Sequence, residues 1–153
     1  MYIEKYWGDY IGGSDDSMTL MEYLAAKPME LAMGEIFSDI GLDGAEDLKA
    51  ASFMVEIDGL EVELQFAISV IADLAALLLE CKKNGSVDLG ELWEELEGQL
   101  NITATAEEND IINSALKAFA EAPSEYEISE MMEEDELQEM AELCEELRCE
   151  LYE

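Results

Sequence analysis

Histidine is absent from this chain of 153 residues, and Lys and Arg together number 7 against 39 Asp and Glu. Without histidine the chain has no Ser-His-Asp or Cys-His catalytic pair and no imidazole ligand for a metal ion. The formal net charge of -32 at pH 7 repels phosphate backbones and anionic membrane surfaces, and it attracts basic partners from a distance. The composition therefore argues against nucleic-acid and membrane binding and predicts a basic protein partner.

Cysteine is scarce as well, and the three cysteines, Cys81, Cys144 and Cys149, cannot all pair within one chain. The first residues lack the basic start and the apolar stretch of a signal peptide, so we expect reduced thiols and a cytoplasmic location. A zinc site at Cys144 and Cys149 would need two more ligands, and only Cys81 is available. We therefore predict neither a metal nor a cofactor.

Long hydrophobic runs are also missing, because the most apolar segment, residues 66–79, is interrupted by Asp73 and is too short to span a bilayer. The chain is nevertheless 50% hydrophobic with a mean hydropathy of -0.04, and it contains two Trp and six Tyr. Disordered acidic chains have low hydrophobicity and few aromatic residues, so this chain is expected to fold. Its length predicts one domain over residues 1–153.

Residues 53–66 have the clearest strand pattern. Apolar side chains alternate with acidic ones on both sides of Asp58-Gly59, which predicts a two-stranded hairpin with one apolar and one acidic face. Residues 67–83 are apolar nearly all round, as is typical of a helix in the middle of a core. The predicted fold class is α+β, helix-rich, with a small antiparallel hairpin sheet packed on this buried central helix. Residues 2–7 are a candidate third strand.

Further helices are indicated by apolar residues at spacings of three and four and by residues that favour helix ends. They cover residues 18–27 with Ser17 as the N-cap, residues 28–40 with Pro28 in the first turn, residues 89–100, and residues 106–121 with Thr103 or Thr105 as the cap. Residues 42–51 are expected to form a turn-rich connection. The acidic segment 125–153 is predicted to dock as an amphipathic helix through Leu137, Met140, Cys144, Leu147 and Leu151.

Three clusters are candidates for binding a basic partner, because acidic and aromatic side chains together can anchor Arg-rich surfaces. They are the N-terminal turn, the acidic face of the hairpin and the start of the C-terminal helix. Their members are Asp9, Tyr10, Asp15 and Asp16; Glu56, Asp58, Glu61 and Glu63; and Glu133, Glu134, Asp135 and Glu136. The ordinary explanation of the hairpin and C-terminal clusters is solvated surface, and that of the N-terminal cluster is a folded turn. Trp7 is expected to pack on the core, and Asp15 and Asp16 are expected to be exposed.

Catalysis by carboxylates is the one enzymatic chemistry that the composition leaves open. Paired carboxylates can act as general acid and base, but the presence of 39 acids makes any chosen pair uninformative. We therefore assign no catalytic residue, and an enzyme is the least favoured class. Turnover that is removed by mutating a single acid would revive it.

Two segments resemble small bacterial immunity proteins of polymorphic toxin and contact-dependent growth inhibition systems. They are Tyr6-Trp-Gly-Asp-Tyr-Ile-Gly-Gly-Ser-Asp-Asp-Ser17, followed by a short helix, and Asp73-Leu-Ala-Ala-Leu-Leu-Leu-Glu80. The resemblance covers about the first two-thirds of the chain. It implies a cytoplasmic protein that binds and blocks a cognate toxin domain, frequently a basic nuclease. Those families share no catalytic motif, so the resemblance assigns no functional residue.

The favoured function is stoichiometric inhibition of a basic toxin by occlusion, with acids pairing to Lys and Arg that otherwise bind substrate phosphates. A monomer is expected. The alternative from another class is a secretion chaperone of the type III kind, since those proteins are also small, acidic and α+β. A stable dimer with an exposed apolar groove would favour the chaperone. Mimicry of nucleic acid overlaps with the first hypothesis and would require acids spaced like phosphates.

Overall fold

A long helix without an exposed stripe lies at the centre of the structure, a computed structural model that describes residues 6–8, 10–13, 15–40, 53–57 and 59–152. Every residue of this helix from Ala67 to Cys81 is buried. The helix closes at Gly85, whose φ of 86° permits the left-handed conformation and whose N–H donates to the Cys81 carbonyl at 2.8 Å. The predicted buried central helix is confirmed.

Six α-helices, five short strands and two 3₁₀ turns make up the described ranges. The helices are α1 (Asp15–Ala25), α2 (Met33–Ile40), α3 (Ala67–Asn84), α4 (Leu89–Leu92), α5 (Ala106–Glu121) and α6 (Glu134–Tyr152). The strands are β1 (Glu30–Ala32), β2 (Phe53–Ile57), β3 (Leu60–Leu64), β4 (Val87–Asp88) and β5 (Gln99–Thr103), and the 3₁₀ turns are Pro123–Glu125 and Glu127–Met131. The helix-rich α+β class is confirmed.

The predicted hairpin is present as an antiparallel pair of β2 and β3, in which Val55 lies opposite Val62. Gly59, with a φ of 83°, supplies the conformation that the turn needs. Val55 and Leu64 are buried, so the apolar alternation does face the core. The hairpin packs mainly against α1 and α2. In the candidate third strand, residues 2–5 lie outside the described residues, and Trp7 forms a single parallel bridge with Ile11.

A second sheet, which the sequence did not predict, lies against α3 with the strand order β1-β5-β4. Strand β1 pairs in parallel with β5, placing Glu30 opposite Asn101, and β4 pairs with β5 in the antiparallel sense. Leu100 and Ile102 of β5 are buried. This sheet, rather than the hairpin, has the more extensive contact with the central helix.

Several predicted helix bounds are wrong. The helix predicted over residues 28–40 begins at Met33, because the preceding three residues extend to pair with β5. The helix predicted over residues 89–100 ends after one turn, and Gly98 with a φ of 125° leads the chain into β5. Helix α1 begins at Asp15, so Ser17 lies inside its first turn and is not its N-cap. Residues 42–51 lie outside the described residues.

Helices α5 and α6 pack side by side, and α5 has its predicted bounds. Helix α6 begins at Glu134 rather than at residue 125, because the preceding residues form two 3₁₀ turns. Thr105 is the cap of α5: its hydroxyl accepts from the Glu108 N–H at 3.3 Å, and the Glu108 carboxylate accepts from the Thr105 N–H at 3.0 Å. The five predicted apolar residues of α6 are all buried, namely Leu137, Met140, Cys144, Leu147 and Leu151. They join a hydrophobic cluster that runs through α3 to the N-terminal loop.

Candidate protein-binding groove

A groove of about 550 Å³ lies between the N-terminal loop, the start of α3 and the segment that leads into α6. Its volume falls within the range of about 300–1,000 Å³ that is common for binding sites. Most of its surface is apolar, and two exposed carboxylates stand at its rim. The lining residues are Tyr10, Gly13, Phe66, Ser69, Ile128, Met131, Met132, Glu136, Glu139 and Met140.

The N-terminal loop forms the first wall and is held in a tight conformation. The Gly8 N–H donates to the Ile11 carbonyl at 2.7 Å, and the Ile11 side chain is fully buried. Gly12 has a φ of 82°, and a Cβ added there would come within 2.2 Å of the Trp7 ring. The Trp7 ring therefore lies directly over Gly12, and its predicted packing on the core is confirmed.

A buried carboxylate of α3 fastens this loop to the core. Asp73 is fully buried and accepts hydrogen bonds from the Gly12 N–H at 2.7 Å and from the Ser17 hydroxyl at 2.5 Å. Burial raises the pKa of Asp73 to about 7, because the loss of water outweighs the two donors that favour the charged form, and the nearby charge of Asp16 raises it further. The carboxylate thus joins α3 to both the loop and the start of α1.

A second buried carboxylate, Asp16, holds the wall formed by the start of α3. Only 4% of Asp16 is exposed, and its two oxygens accept from the backbone N–H groups of Gln65 and Phe66, each at 2.8 Å. These bonds position the Phe66 side chain in the groove. The expectation that Asp16 is exposed is wrong, because its negative charge is offset by backbone donors from the end of the hairpin.

The third wall is the beginning of α6 and the 3₁₀ turn before it. The Glu136 carboxylate accepts from the Glu133 N–H at 3.2 Å, which caps the helix start. One turn later the Glu139 carboxylate accepts from the Tyr10 hydroxyl at 2.7 Å, joining this wall to the N-terminal loop. Acids are favoured in the first turn of a helix by the helix dipole, so Glu134, Asp135 and Glu136 also suit their position.

The structure brings two of the predicted partner-binding residues, Tyr10 and Glu136, into this groove. Glu133, Glu134 and Asp135 are exposed beside it at the helix start. Glu56, Glu61 and Glu63 are exposed on the hairpin and do not line the groove, and Glu56 lies directly opposite Glu61. The side chain of Asp15 and the residues Asp9 and Asp58 lie outside what the structure describes.

The apolar part of the groove was missed in the sequence. Ile128 and Met131 lie in a short 3₁₀ turn and Met132 follows it, so they have no α-helical periodicity that would identify them. Met131 is 74% exposed. The signal that was available is an apolar Met-Met pair within an otherwise strongly acidic stretch. Such flexible thioether side chains are common at surfaces that bind proteins.

A smaller polar pocket beside α1 has a structural explanation. The Tyr23 hydroxyl donates to Asp39, and the Lys27 ammonium pairs with the same carboxylate at 2.9 Å and lies over the Tyr23 ring. These contacts lower the pKa of Asp39, the hydrogen bond from Tyr23 being the largest cause. Glu56 also lines this pocket. The cluster therefore joins α1 to α2 by neutralising the Asp39 charge.

The described ranges contain no arrangement of side chains that suits thiol or metal chemistry. All three cysteines are free thiols, and burial raises the pKa of the Cys144 thiol to about 12. Among the residues that the structure describes, no group of three or more potential ligands is placed to hold a metal ion. A protein-binding surface is therefore what the arrangement of the groove suits best.

In a comparison with known protein families, the model of the family described as Immunity protein 68 matches residues 2–151 of this chain. The chain belongs to this family. No curated protein and no solved structure matches it. Membership of Immunity protein 68 indicates a toxin as the partner and neutralisation of that toxin as the role, and proteins of this kind are generally not catalysts. None of the helices in the part that is described is both long and apolar enough to cross a membrane.

Proposed function

We propose that this Immunity protein 68 member neutralises a basic toxin domain, of which a nuclease is the favoured class, by stoichiometric occlusion. The observation that supports a basic partner is the charge: 39 acids face 7 Lys and Arg, a net charge of -32. Even if every basic residue were paired internally, a large excess of carboxylates would remain for a partner. Membership of the family supports the role of toxin neutralisation, and the negative charge supports recognition of a basic surface.

The mechanism follows from what a nuclease surface must contain. A toxin that cuts nucleic acid needs Lys and Arg at its substrate cleft, because phosphate contacts dominate affinity for nucleic acids. An acidic protein that covers this cleft pairs with those cations and excludes the substrate. Charge then guides the encounter, and a few apolar contacts at the centre of the interface slow dissociation.

The three predicted clusters contribute unequally to this proposal. The residues at or beside the groove, Tyr10 and Glu133, Glu134, Asp135 and Glu136, are proposed to contact the toxin, as are the exposed hairpin acids Glu56, Glu61 and Glu63. Asp16 is removed from the set, since it is buried and bound to backbone N–H groups. We also propose a monomer that acts in the cytoplasm, where the free thiols would stay reduced.

The test uses the toxin domain encoded beside the gene. The purified protein is titrated into a fixed amount of that domain while its nuclease activity is measured, and the complex is weighed by light scattering. We expect nuclease activity to fall linearly with added protein and to reach zero at one molecule of this protein per toxin domain. Persistence of activity at saturation, or absence of binding, would refute the proposal. A stable dimer that binds the domain without inhibiting it would favour the secretion chaperone instead.

A further inference from the structure

We propose that the groove is the central contact with the toxin and that it accepts one large apolar side chain of the toxin next to an Arg or Lys. This inference rests on the proposed function and names the part of the partner that the site would hold. It assigns the apolar floor to the anchoring side chain and the carboxylates of Glu136 and Glu139 to the neighbouring cation. Nothing in the family match assigns this site or its occupant.

The distribution of charge in the groove favours a cationic partner segment. Two exposed carboxylates line it, and among its described lining residues there is no Lys or Arg. A guanidinium that paired with Glu139 would also lie beside the Tyr10 ring, since the Tyr10 hydroxyl is 2.7 Å from that carboxylate. An Arg can bind a carboxylate in bidentate fashion and stack on an aromatic ring, so both contacts are available to one residue.

The apolar floor favours a large hydrophobic anchor. The lining combines Phe66 and Ile128 with the methionines Met131 and Met132. Met131 is 74% exposed, compared with 69% for Leu60 and 49% for Met54. Burying it beneath a partner side chain would remove apolar surface from water, and its flexible chain can adapt to the shape of the anchor.

The walls of the groove are fixed before any partner arrives. Asp73 accepts from the Gly12 N–H of the loop, and Asp16 accepts from the N–H groups of Gln65 and Phe66. Met140 is almost fully buried at the base. A preformed site loses little conformational entropy on binding, so its contacts contribute more fully to affinity. The exposed methionine of the hairpin, Met54, lies opposite Glu63 and does not line this groove.

Residues outside the groove offer matched controls. Met131→Ala and Met54→Ala each remove one exposed methionine, and Glu139→Gln and Glu22→Gln each remove one exposed negative charge from a helix. Within each pair the change in net charge is identical, so long-range attraction is altered equally. Glutamine at position 139 keeps an acceptor for the Tyr10 hydroxyl. Dissociation constants for the toxin domain encoded beside the gene are measured for all four variants, with circular dichroism melting to show that each is folded.

We expect Met131→Ala and Glu139→Gln each to weaken binding by about tenfold or more, mainly through faster dissociation, as is usual for a central anchor. The control variants Met54→Ala and Glu22→Gln should change the dissociation constant by less than about threefold. If the wild type inhibits the toxin but the control variants alone lose affinity, the groove proposal is overturned while the proposed function stands. If the wild type fails to bind, both fail together.

A second copy of this chain is the other possible occupant of the groove, and a further experiment distinguishes it from the toxin. Met131→Glu places a further carboxylate at the apolar floor and is compared with Met54→Glu by light scattering. If the protein is a dimer that only Met131→Glu dissociates, with unchanged affinity for the toxin, the groove binds a second copy of this chain and the proposal is wrong. A monomer whose Met131→Glu variant alone loses toxin affinity supports it.

Discussion

At the scale of single residues, Asp73 links the core to the surface loop that shapes the groove. Its carboxylate lies in the middle of a mostly apolar helix, and it accepts hydrogen bonds from Gly12 and Ser17. The nearby charge of Asp16 raises the pKa of Asp73 further. The protonation of Asp73 is therefore part of the stability of the fold.

The effect of pH on this site has a definite sign. The folded-state pKa of Asp73, about 7, lies above the ordinary value of 3.8 for an aspartate, so the folded state holds the proton more tightly than the unfolded state. Stability from this group is complete below the unfolded value and decreases as pH rises towards 7. Asparagine does not titrate, so Asp73→Asn lacks this dependence on pH. The free energy of unfolding of the wild type, relative to that of the variant, should therefore fall by up to about 4 kcal/mol as the pH rises from about 4 to about 7.

Urea unfolding of both proteins at several pH values between about 4 and 8 measures this difference directly. Titration of the other acids is common to both proteins and largely cancels in the comparison. A difference in the free energy of unfolding that does not change with pH would show that Asp73 stays charged in the folded state. In that case the two hydrogen-bond donors, rather than burial, would dominate its pKa.

Gly12 provides a second prediction, with Gly59 as its matched control. Both glycines have nearly the same positive φ, 82° and 83°, but only at Gly12 would a Cβ meet the Trp7 ring, while nothing lies within 4 Å of a Cβ at Gly59. Gly59→Ala should cost about 1 kcal/mol of stability through backbone strain, and Gly12→Ala should cost at least about 1 kcal/mol more. Equal losses in urea unfolding would mean that the loop moves aside freely.

At the scale of elements, the hairpin contains an unfavourable pair. Glu56 and Glu61 lie directly opposite each other, and like charges in that position destabilise a sheet. Retaining such a pair is consistent with a surface kept acidic for a partner rather than for stability. The neighbouring Glu63 lies opposite Met54, so it faces no carboxylate directly across the strand.

Reversing one charge of the pair should therefore stabilise the free protein. Glu61→Lys turns a repulsive pair into an attractive one and should raise the free energy of unfolding by about 0.5–1 kcal/mol more than Glu63→Lys, which changes the net charge equally. The difference should shrink in about 1 M salt, where charges are screened within a few ångströms. Equal stabilisation by both variants would attribute the gain to net charge alone.

The hydrophobic pattern of the sequence predicts those elements that can be identified from their own residues. The hairpin, α3 and the buried face of α6 could be predicted because alternation or a spacing of three and four identifies each one on its own. Strand β1 could not, since its three residues become a strand only by pairing with β5, about 70 residues later. The burial of Asp16 was unpredictable for the same reason: its donors belong to the end of the hairpin.

The groove was partly predictable. Tyr10 and Glu136 were selected for their chemistry, and the structure places them at one site. The apolar floor was missed because residues 128–132 have no regular periodicity. No pattern within a short window can indicate that the N-terminal loop meets α6, because that contact depends on how the whole chain packs around α3.

At the scale of the whole molecule, the net charge of -32 should govern how fast the toxin is bound. We expect an association rate constant on the order of 10⁸ M⁻¹s⁻¹ at low salt, which falls by about tenfold or more between roughly 0.05 M and 0.5 M NaCl. The dissociation rate should change much less, because desolvated contacts are poorly screened. Stopped-flow measurements over this range are the test, and an association rate indifferent to salt would contradict it.

The hydrogen bond between Tyr10 and Glu139 joins positions 129 residues apart, so the walls of the groove come from segments that are distant in sequence. Contacts of such long sequence separation carry a large cost in loop-closure entropy. During synthesis the N-terminal loop leaves the ribosome 129 residues before Glu139 of the opposite wall. A chain that stalls before α6 would therefore lack this groove and would give the cell no protection through it.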